Sequence, residues 1–162
     1  MSSYPYGKDD VCKWIREHFP PGASVLDVGA CDAVWRRMLP EYANMDAVEA
    51  FHPNIEKLTG YRNVFEADIR GFEYEHYDLI IFGDVIEHMP VEDAQRVLEY
   101  AKPRCADMVV AVPFLYRQGM IYGNPYEVHV QDDLTAELFN ERYPGFKVLC
   151  RPADDYCYYI KA

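Results

Sequence analysis

The chain has no pair of cysteines at C-x-x-C spacing, no internal repeat and no low-complexity tract. It also lacks any apolar run near the ~20 residues that a membrane-spanning helix needs. Each absence excludes a class. Cys12, Cys31, Cys105, Cys150 and Cys157 are an odd set at irregular spacing. That argues against a disulfide framework or a structural zinc site and fits a reducing, cytoplasmic setting. The opening residues MSSYPYGKDD carry neither the basic flank nor the apolar stretch of an export signal. With no Pro/Gly/Ser linker, residues 1–162 read as one domain, with residues 1–23 supplying a helix that packs on a sheet. A chain of this size buries roughly 70% of the surface its unfolded form exposes, enough for a core without staples. Lysine and arginine are scarce, 16 against 27 Asp and Glu, for a formal charge of −11. Nucleic-acid binding rests on clustered cations, so the balance disfavours a polyanionic partner, and solubility is the simpler use of the charge.

What is present alternates. A helical stripe over 8–19 (Val11, Cys12, Ile15, Phe19) ends at Pro20-Pro21-Gly22. Buried strands are expected at 24–29, 45–49, 63–67, 77–82 and 107–112, where short apolar runs are bounded by charges or turns. Helices are expected at 33–39, from Pro53, at 91–101, and after Thr135 as N-cap, with Leu134 and Phe139 placed as a hydrophobic staple. The last two runs, 146–150 and 156–161, have no helix between them and imply an antiparallel pair. Five strand-then-helix units closed by a hairpin make a three-layer α/β/α sandwich around a mostly parallel seven-stranded sheet with an antiparallel C-terminal hairpin.

The sharpest motif is V-L-D-V-G-A-C-D-A, residues 25–33, at the C-terminal end of the first strand, where open α/β sheets bind ligands. A dinucleotide pyrophosphate wants G-x-G-x-x-G on a helix N-terminus, but here only Gly29 stands in that frame, flanked by Asp27 and Asp32. Acids repel phosphate and attract cations, and S-adenosylmethionine carries both a sulfonium and an ammonium. Glu49, ending the second strand, is placed to accept from ribose hydroxyls, and Asp68, after the third, is placed for the adenine amino group.

Together with V-E-A-F, E-A-D-I and Y-D-L-I-I-F-G-D-V-I-E-H-M, this motif resembles the class I S-adenosylmethionine-dependent methyltransferases over nearly the whole chain. The resemblance implies that Asp27, Gly29, Ala30 and Cys31 surround the methionine part of the cofactor. It implies that Glu49 and Ala50 hold the ribose, that Asp68 and Ile69 flank the adenine, and that Gly83 and Asp84 wall the transfer site. Two features depart from the family pattern. G-x-G-x-G is replaced by Gly29-Ala30-Cys31-Asp32-Ala33, so that if Cys31 must take the backbone conformation normally given to glycine it does so at some strain, and 69–76 is short for a helix.

On the acceptor side, His88 and His129 are candidate general bases beside Asp84. A divalent metal on Asp84, Glu87, His88 and His129 is similar to an E-x-x-E-H plus distal His pattern of small-RNA 2′-O-methyltransferases and ubiquinone-biosynthesis O-methyltransferases, with Asp84 in place of the first Glu. The metal is not favoured over the plainer reading that Glu87 and His88 cap the next helix and shape the pocket. Gly83-Asp84-Val85-Ile86 stands where adenine and glutamine N-methyltransferases carry Asp/Asn-Pro-Pro-Tyr, which disfavours that chemistry. Tyr116, Tyr122 and Tyr126 are candidates for an aromatic lid. The expectation is methyl transfer to an oxygen or nitrogen of a small-molecule acceptor by a monomer or homodimer, with no nucleic-acid or membrane partner. A metal-assisted RNA 2′-O-methyltransferase and a non-catalytic S-adenosylmethionine-binding module stand as alternatives.

Overall fold

A computed structural model describes residues 5–162; the first four residues of the expected N-terminal segment lie outside the described residues. Helix α1 (Lys8–His18) buries Val11, Cys12 and Ile15 and ends where Phe19 turns to extended backbone. Strand β1 (Val25–Val28) leads to the short helix α2 (Val34–Met38). That helix starts one residue later than its apolar pattern suggests, because Ala33 is left-handed (φ 61°). Next come β2 (Met45–Glu49), α3 (His52–Ile55) with Pro53 in its first turn, and β3 (Val64–Glu66).

No helix separates β3 from β4 (Tyr77–Gly83), so the third strand-then-helix unit of the expected five is missing. Residues 67–76 instead turn on the Asp68 carbonyl, which accepts from the Gly71 N–H at 3.1 Å, and pack Phe72 against Phe65 and Tyr74. Helix α4 (Val91–Ala101) buries Ala94, Val97, Leu98 and Ala101 and leads to β5 (Cys105–Pro113). Helix α5 (Ala136–Arg142) is capped by the Thr135 hydroxyl, which accepts from the Leu138 N–H at 3.1 Å; such a cap contributes about 1 kcal/mol. The strands β6 (Phe146–Ala153) and β7 (Tyr156–Lys161) close the chain.

The seven strands lie in the order β3-β2-β1-β4-β5-β7-β6. All pairings from β3 to β5 are parallel, and β7 runs against both β5 and β6. Successive β4 residues face opposite ways. Leu79 and Ile81 pack with Ile15 and Trp35 of α1 and α2. Ile80 and Phe82 pack with Leu98 and Phe139 of α4 and α5. That double burial makes three layers. Among the described residues no helix is long and apolar enough to cross a membrane, and no disulfide links the five cysteines.

Candidate active site

Strand order reverses between β1 and β4, the place where the connecting loops part and leave a crevice at the C-terminal edge of the sheet. A cleft opens there in two lobes of ≈ 100 Å³ and ≈ 260 Å³. Gly29, Cys31, Asp84, His88 and Glu127 line both lobes and mark where they meet. A side chain at Gly29 would bring its Cβ to 2.9 Å from Val85, and one at Gly83 would reach 2.7 Å from the Trp35 ring nitrogen. Both glycines keep the backbone low at the junction. Cys31 (φ 47°) and Asp84 (φ 56°) are left-handed without being glycine. Such backbone strain, of order 1 kcal/mol or more per residue, persists only where the surroundings enforce it.

Glu49, Ala50, Asp68 and Ile69 line the smaller lobe. The Glu49 carboxylate is buried and braces the β1 loop, accepting from the Cys31 N–H at 2.9 Å and the Phe51 N–H at 2.8 Å. Asp68 is gripped by Arg70, whose Nη2 donates to Oδ2 at 2.6 Å and whose Nε lies 3.0 Å from each oxygen. This guanidinium, itself on the lobe wall, holds Asp68 below the usual carboxylate range. An adenine amino group at Asp68 would share that carboxylate with Arg70.

Asp27, expected at the methionine part of a cofactor, is not on the wall of either lobe. Its carboxylate is buried beneath the loop and accepts from the Tyr61 hydroxyl at 2.6 Å. Burial lifts its pKa to about 7 although the Tyr61 bond pulls the other way. That bond ties β1 to the segment before β3, while Gly29, Ala30 and Cys31 form the wall.

The larger lobe is walled by Gly83, Asp84, Glu87, His88 and His129, with Trp35 and Tyr156 behind. Asp84 Oδ1 accepts from the Tyr156 hydroxyl at 2.6 Å, whereas Oδ2 has no partner. Burial raises Asp84 to about 6 against that bond. Glu87, 1% exposed, has no hydrogen-bond partner at either oxygen. Burial first, then the charge of Asp84, pushes its pKa well up. The rings of His88 and His129 meet edge to face, 4.7 Å apart. His88 Nδ1 lies 3.2 Å from the Val128 carbonyl, and His129 Nδ1 lies 2.7 Å from the Tyr116 carbonyl. A carbonyl can only accept, so each Nδ1 carries the hydrogen and each neutral ring keeps its lone pair at Nε2. Burial, reinforced by the neighbouring His129, lowers His88 to about 4, and burial lowers His129 as well. Both are therefore neutral bases at pH 7.

Of the four residues expected as a metal set, three converge: ligand atoms of Glu87, His88 and His129 lie within 4.8 Å of one another. Asp84 is outside the group, turned to Tyr156. Two imidazoles and one carboxylate are a poor match for magnesium, which prefers oxygen ligands and a near-octahedral shell. Of the tyrosines expected as a lid, Tyr116 lines the larger lobe and Tyr126 the smaller, but Tyr122 is 92% exposed and lines neither.

Two supporting residues escape a reading of the sequence. Gln131 is buried, and its amide nitrogen donates to the carbonyls of Ile86 (2.8 Å) and Met89 (3.0 Å), clamping the 3-10 turn Ile86–His88. Backbone N–H groups of Val130 and Gln131 both donate to the Glu87 carbonyl, so the loop bearing His129 and the turn bearing His88 move as one. Tyr156 is the second, delivered by a strand that starts far along the chain. Its only sequence signal is its position at the head of β7.

No family model matches this chain, and no curated protein matches it. Solved structures do. DhpI in complex with S-adenosylhomocysteine superposes with a TM-score of 0.72 at 14% identity, over 96% of this chain and 83% of that one. An S-adenosylmethionine-dependent methyltransferase from Clostridium acetobutylicum gives 0.70 at 10% identity, over 94% and 88%. A sugar N-methyltransferase from Streptoalloteichus gives 0.55 at 17% identity, over 67% of this chain; the chain spans about half (48%) of that protein's length. At these identities the likeness establishes the fold, which is that of the class I methyltransferases.

Proposed function

We propose that this chain is an S-adenosylmethionine-dependent methyltransferase that moves a methyl group to an oxygen or nitrogen of a small-molecule acceptor. The observation that carries the reading is the two-lobed cleft at the strand-order reversal, joined at Gly29, Asp84 and His88. The residues present fit the cofactor: the junction is glycine-lined and acid-walled, and Asp84 Oδ2 there is buried with no hydrogen bond. A sulfonium and an ammonium would neutralise that wall, whereas a pyrophosphate would be repelled by it. When bound, S-adenosylmethionine supplies an activated methyl on a sulfonium. Glu49, already fixed by two backbone N–H groups, orients a ribose in the smaller lobe, with Ile69 and Met89 as apolar walls. Gly83 leaves the junction open. His88 and His129, neutral with Nε2 free, accept a proton from an acceptor group in the larger lobe. Alignment of two reactants across a narrow junction is the main contribution such a site makes to the rate. Fold relatives described as methyltransferases, one with S-adenosylhomocysteine, support the reading. Cysteines without disulfides suit a reducing cytoplasm, and the acidic balance disfavours RNA as acceptor.

Calorimetric titration of the chain with S-adenosylmethionine, S-adenosylhomocysteine and NAD, with and without magnesium, tests this. The first two are expected to bind at micromolar concentration, NAD not at all, and magnesium to make no difference. Absence of S-adenosylhomocysteine binding, or its abolition only by metal removal, would overturn the assignment or its metal-free form respectively.

A further inference from the structure

The buried polar atoms that the larger lobe leaves unpaired are all hydrogen-bond acceptors. Among the described residues, five buried side-chain polar atoms have no hydrogen-bond partner, and four are acceptors of this lobe: Asp84 Oδ2, both Glu87 oxygens and Gln118 Oε1. Gln118 spends its amide nitrogen on the Glu127 carbonyl at 2.7 Å, so its oxygen is left over. His88 and His129 add two lone pairs at Nε2, because their Nδ1 hydrogens are taken by backbone carbonyls. Five carboxylates line the lobe (Asp32, Asp84, Glu87, Glu127 and Asp155), and no lysine or arginine among the described residues does. The buried Lys8 lies off the lobe wall, over the Trp35 ring with its nitrogen 3.4 Å from the Tyr158 hydroxyl; its charge acts on Asp84 and Asp32 from there but does not reach into the lobe beside Glu87.

A buried acceptor left unpaired is costly, so the lobe is complementary to a group that brings several hydrogens and positive charge. An alcohol brings one hydrogen and no charge. A carboxylate or phosphate brings charge of the wrong sign. We infer that the acceptor is an amine, bound as its ammonium ion with N–H groups on Glu87 and Asp84, and methylated on that nitrogen; this rests on the methyl transfer proposed above.

The chemistry balances on the residues present. The ammonium gives one proton to His88 Nε2, which stands 3.7 Å from Glu87 Oε1, so the imidazolium is neutralised where it forms. The freed nitrogen pair makes the bond to the methyl carbon as the carbon–sulfur bond breaks, and that bond's electrons stay on sulfur, turning the sulfonium into a thioether. The product carries one positive charge as an N-methyl ammonium, and the proton on His88 leaves to solvent.

The test uses the full chain saturated with S-adenosylhomocysteine and two matched probe sets, observed by ligand NMR: glucosamine, glucose and glucuronate; benzylamine, benzyl alcohol and benzoate. The amine of at least one set is expected to bind about ten-fold or more tighter than its alcohol, and neither acid to bind, the difference made by charge-assisted hydrogen bonds. Glu87→Gln is expected to weaken the amine by about ten-fold and leave S-adenosylhomocysteine affinity unchanged. Should Glu87→Gln lower the melting temperature too far to be read, Asp155→Asn, at an exposed turn, is expected to weaken the amine a few-fold. Equal binding of amine and alcohol, preference for the acid, no amine binding, or saturable magnesium or zinc binding at Glu87 that displaces the amine overturns the inference. Loss of S-adenosylhomocysteine binding overturns the functional reading itself; retention of it with failure of the amines removes only the amine.

Discussion

The Tyr156 hydroxyl donates to Asp84 Oδ1 at 2.6 Å, joining the first residue of an antiparallel strand to the residue that follows β4. The bond favours the charged form of a carboxylate that burial would otherwise neutralise.

Tyr156→Phe should therefore raise the Asp84 pKa above its value of about 6. A carbon-13 NMR titration of the Asp84 carboxyl reads this directly, and an unmoved titration would show that the hydroxyl does not stabilise the charge.

Ligand-free stability should fall as pH rises. Asp27 titrates at about 7 in the folded chain against an ordinary 3.8, and Asp84 at about 6, both lifted first by burial. Between those limits the folded chain holds protons that the unfolded chain releases, so stability present below about pH 4 is lost through about pH 7. Asp46 has the opposite sign: burial pushes it up, but bonds from Arg62, Tyr77 and Asn63 outweigh that, and its contribution is lost as pH falls below 3.8. His88, lowered to about 4, and His129, also lowered, both by burial first, oppose the decline too, because below about 6.5 the unfolded chain binds protons that these folded rings refuse. Melting temperature is therefore expected to decline from about pH 6.5 to about pH 8, where the histidines are neutral in both states. Asp27→Asn, which can still accept from Tyr61, should flatten the decline; an upward slope for the parent chain contradicts the raised pKa.

Cys31→Gly should leave stability unchanged or raise it by up to about 1 kcal/mol. Relief of a left-handed residue outweighs the extra freedom glycine has in the unfolded chain. Chemical denaturation measures the sum, and a loss of more than about 1 kcal/mol would mean the Cys31 side chain stabilises the loop by packing.

Gln131→Ala should cost about 2–4 kcal/mol, because it strands the carbonyls of Ile86 and Met89 and removes the partner of the Tyr143 hydroxyl at 2.7 Å. Methyl transfer should fall further than S-adenosylhomocysteine affinity, since the clamp holds His88 and His129 rather than Glu49. Equal losses of both would make Gln131 a residue of general stability only.

Much of this molecule is legible in its residues, and the limits have physical reasons. The runs that become β1, β2 and β4 are apolar apart from one or two acids each and are buried almost throughout because both faces of a parallel sheet are covered, and the final hairpin shows itself by the absence of a helix between two strand-like runs. That same continuity hides which way Asp27 turns. With neighbours buried on both faces, no alternation says whether a carboxylate meets the cleft or Tyr61. The junction residues Gly29, Cys31 and Asp84 follow strands at the expected edge, so strand position locates them. Gln131 and Tyr156 act through partners 42 to 72 positions away, and only tertiary contact reveals those pairings. The hold of Arg70 on Asp68 is local, two residues on, and could have been suspected from Asp68-Ile69-Arg70 alone.

The reversed direction of β7 has a bearing on how this scaffold could diversify. A parallel strand presents its last residue to the cleft edge, but β7 presents its first, so the two-residue turn at Asp154 and Asp155 borders the larger lobe while the turn at Pro144 and Gly145 sits at the far end of the sheet. Lengthening the near turn would add new wall to the larger lobe without touching the loops that brace the smaller one. Lengthening the far one would add only surface. On the proposed reading, acceptor choice and cofactor retention can thus drift independently, with the hairpin as the place to graft new specificities.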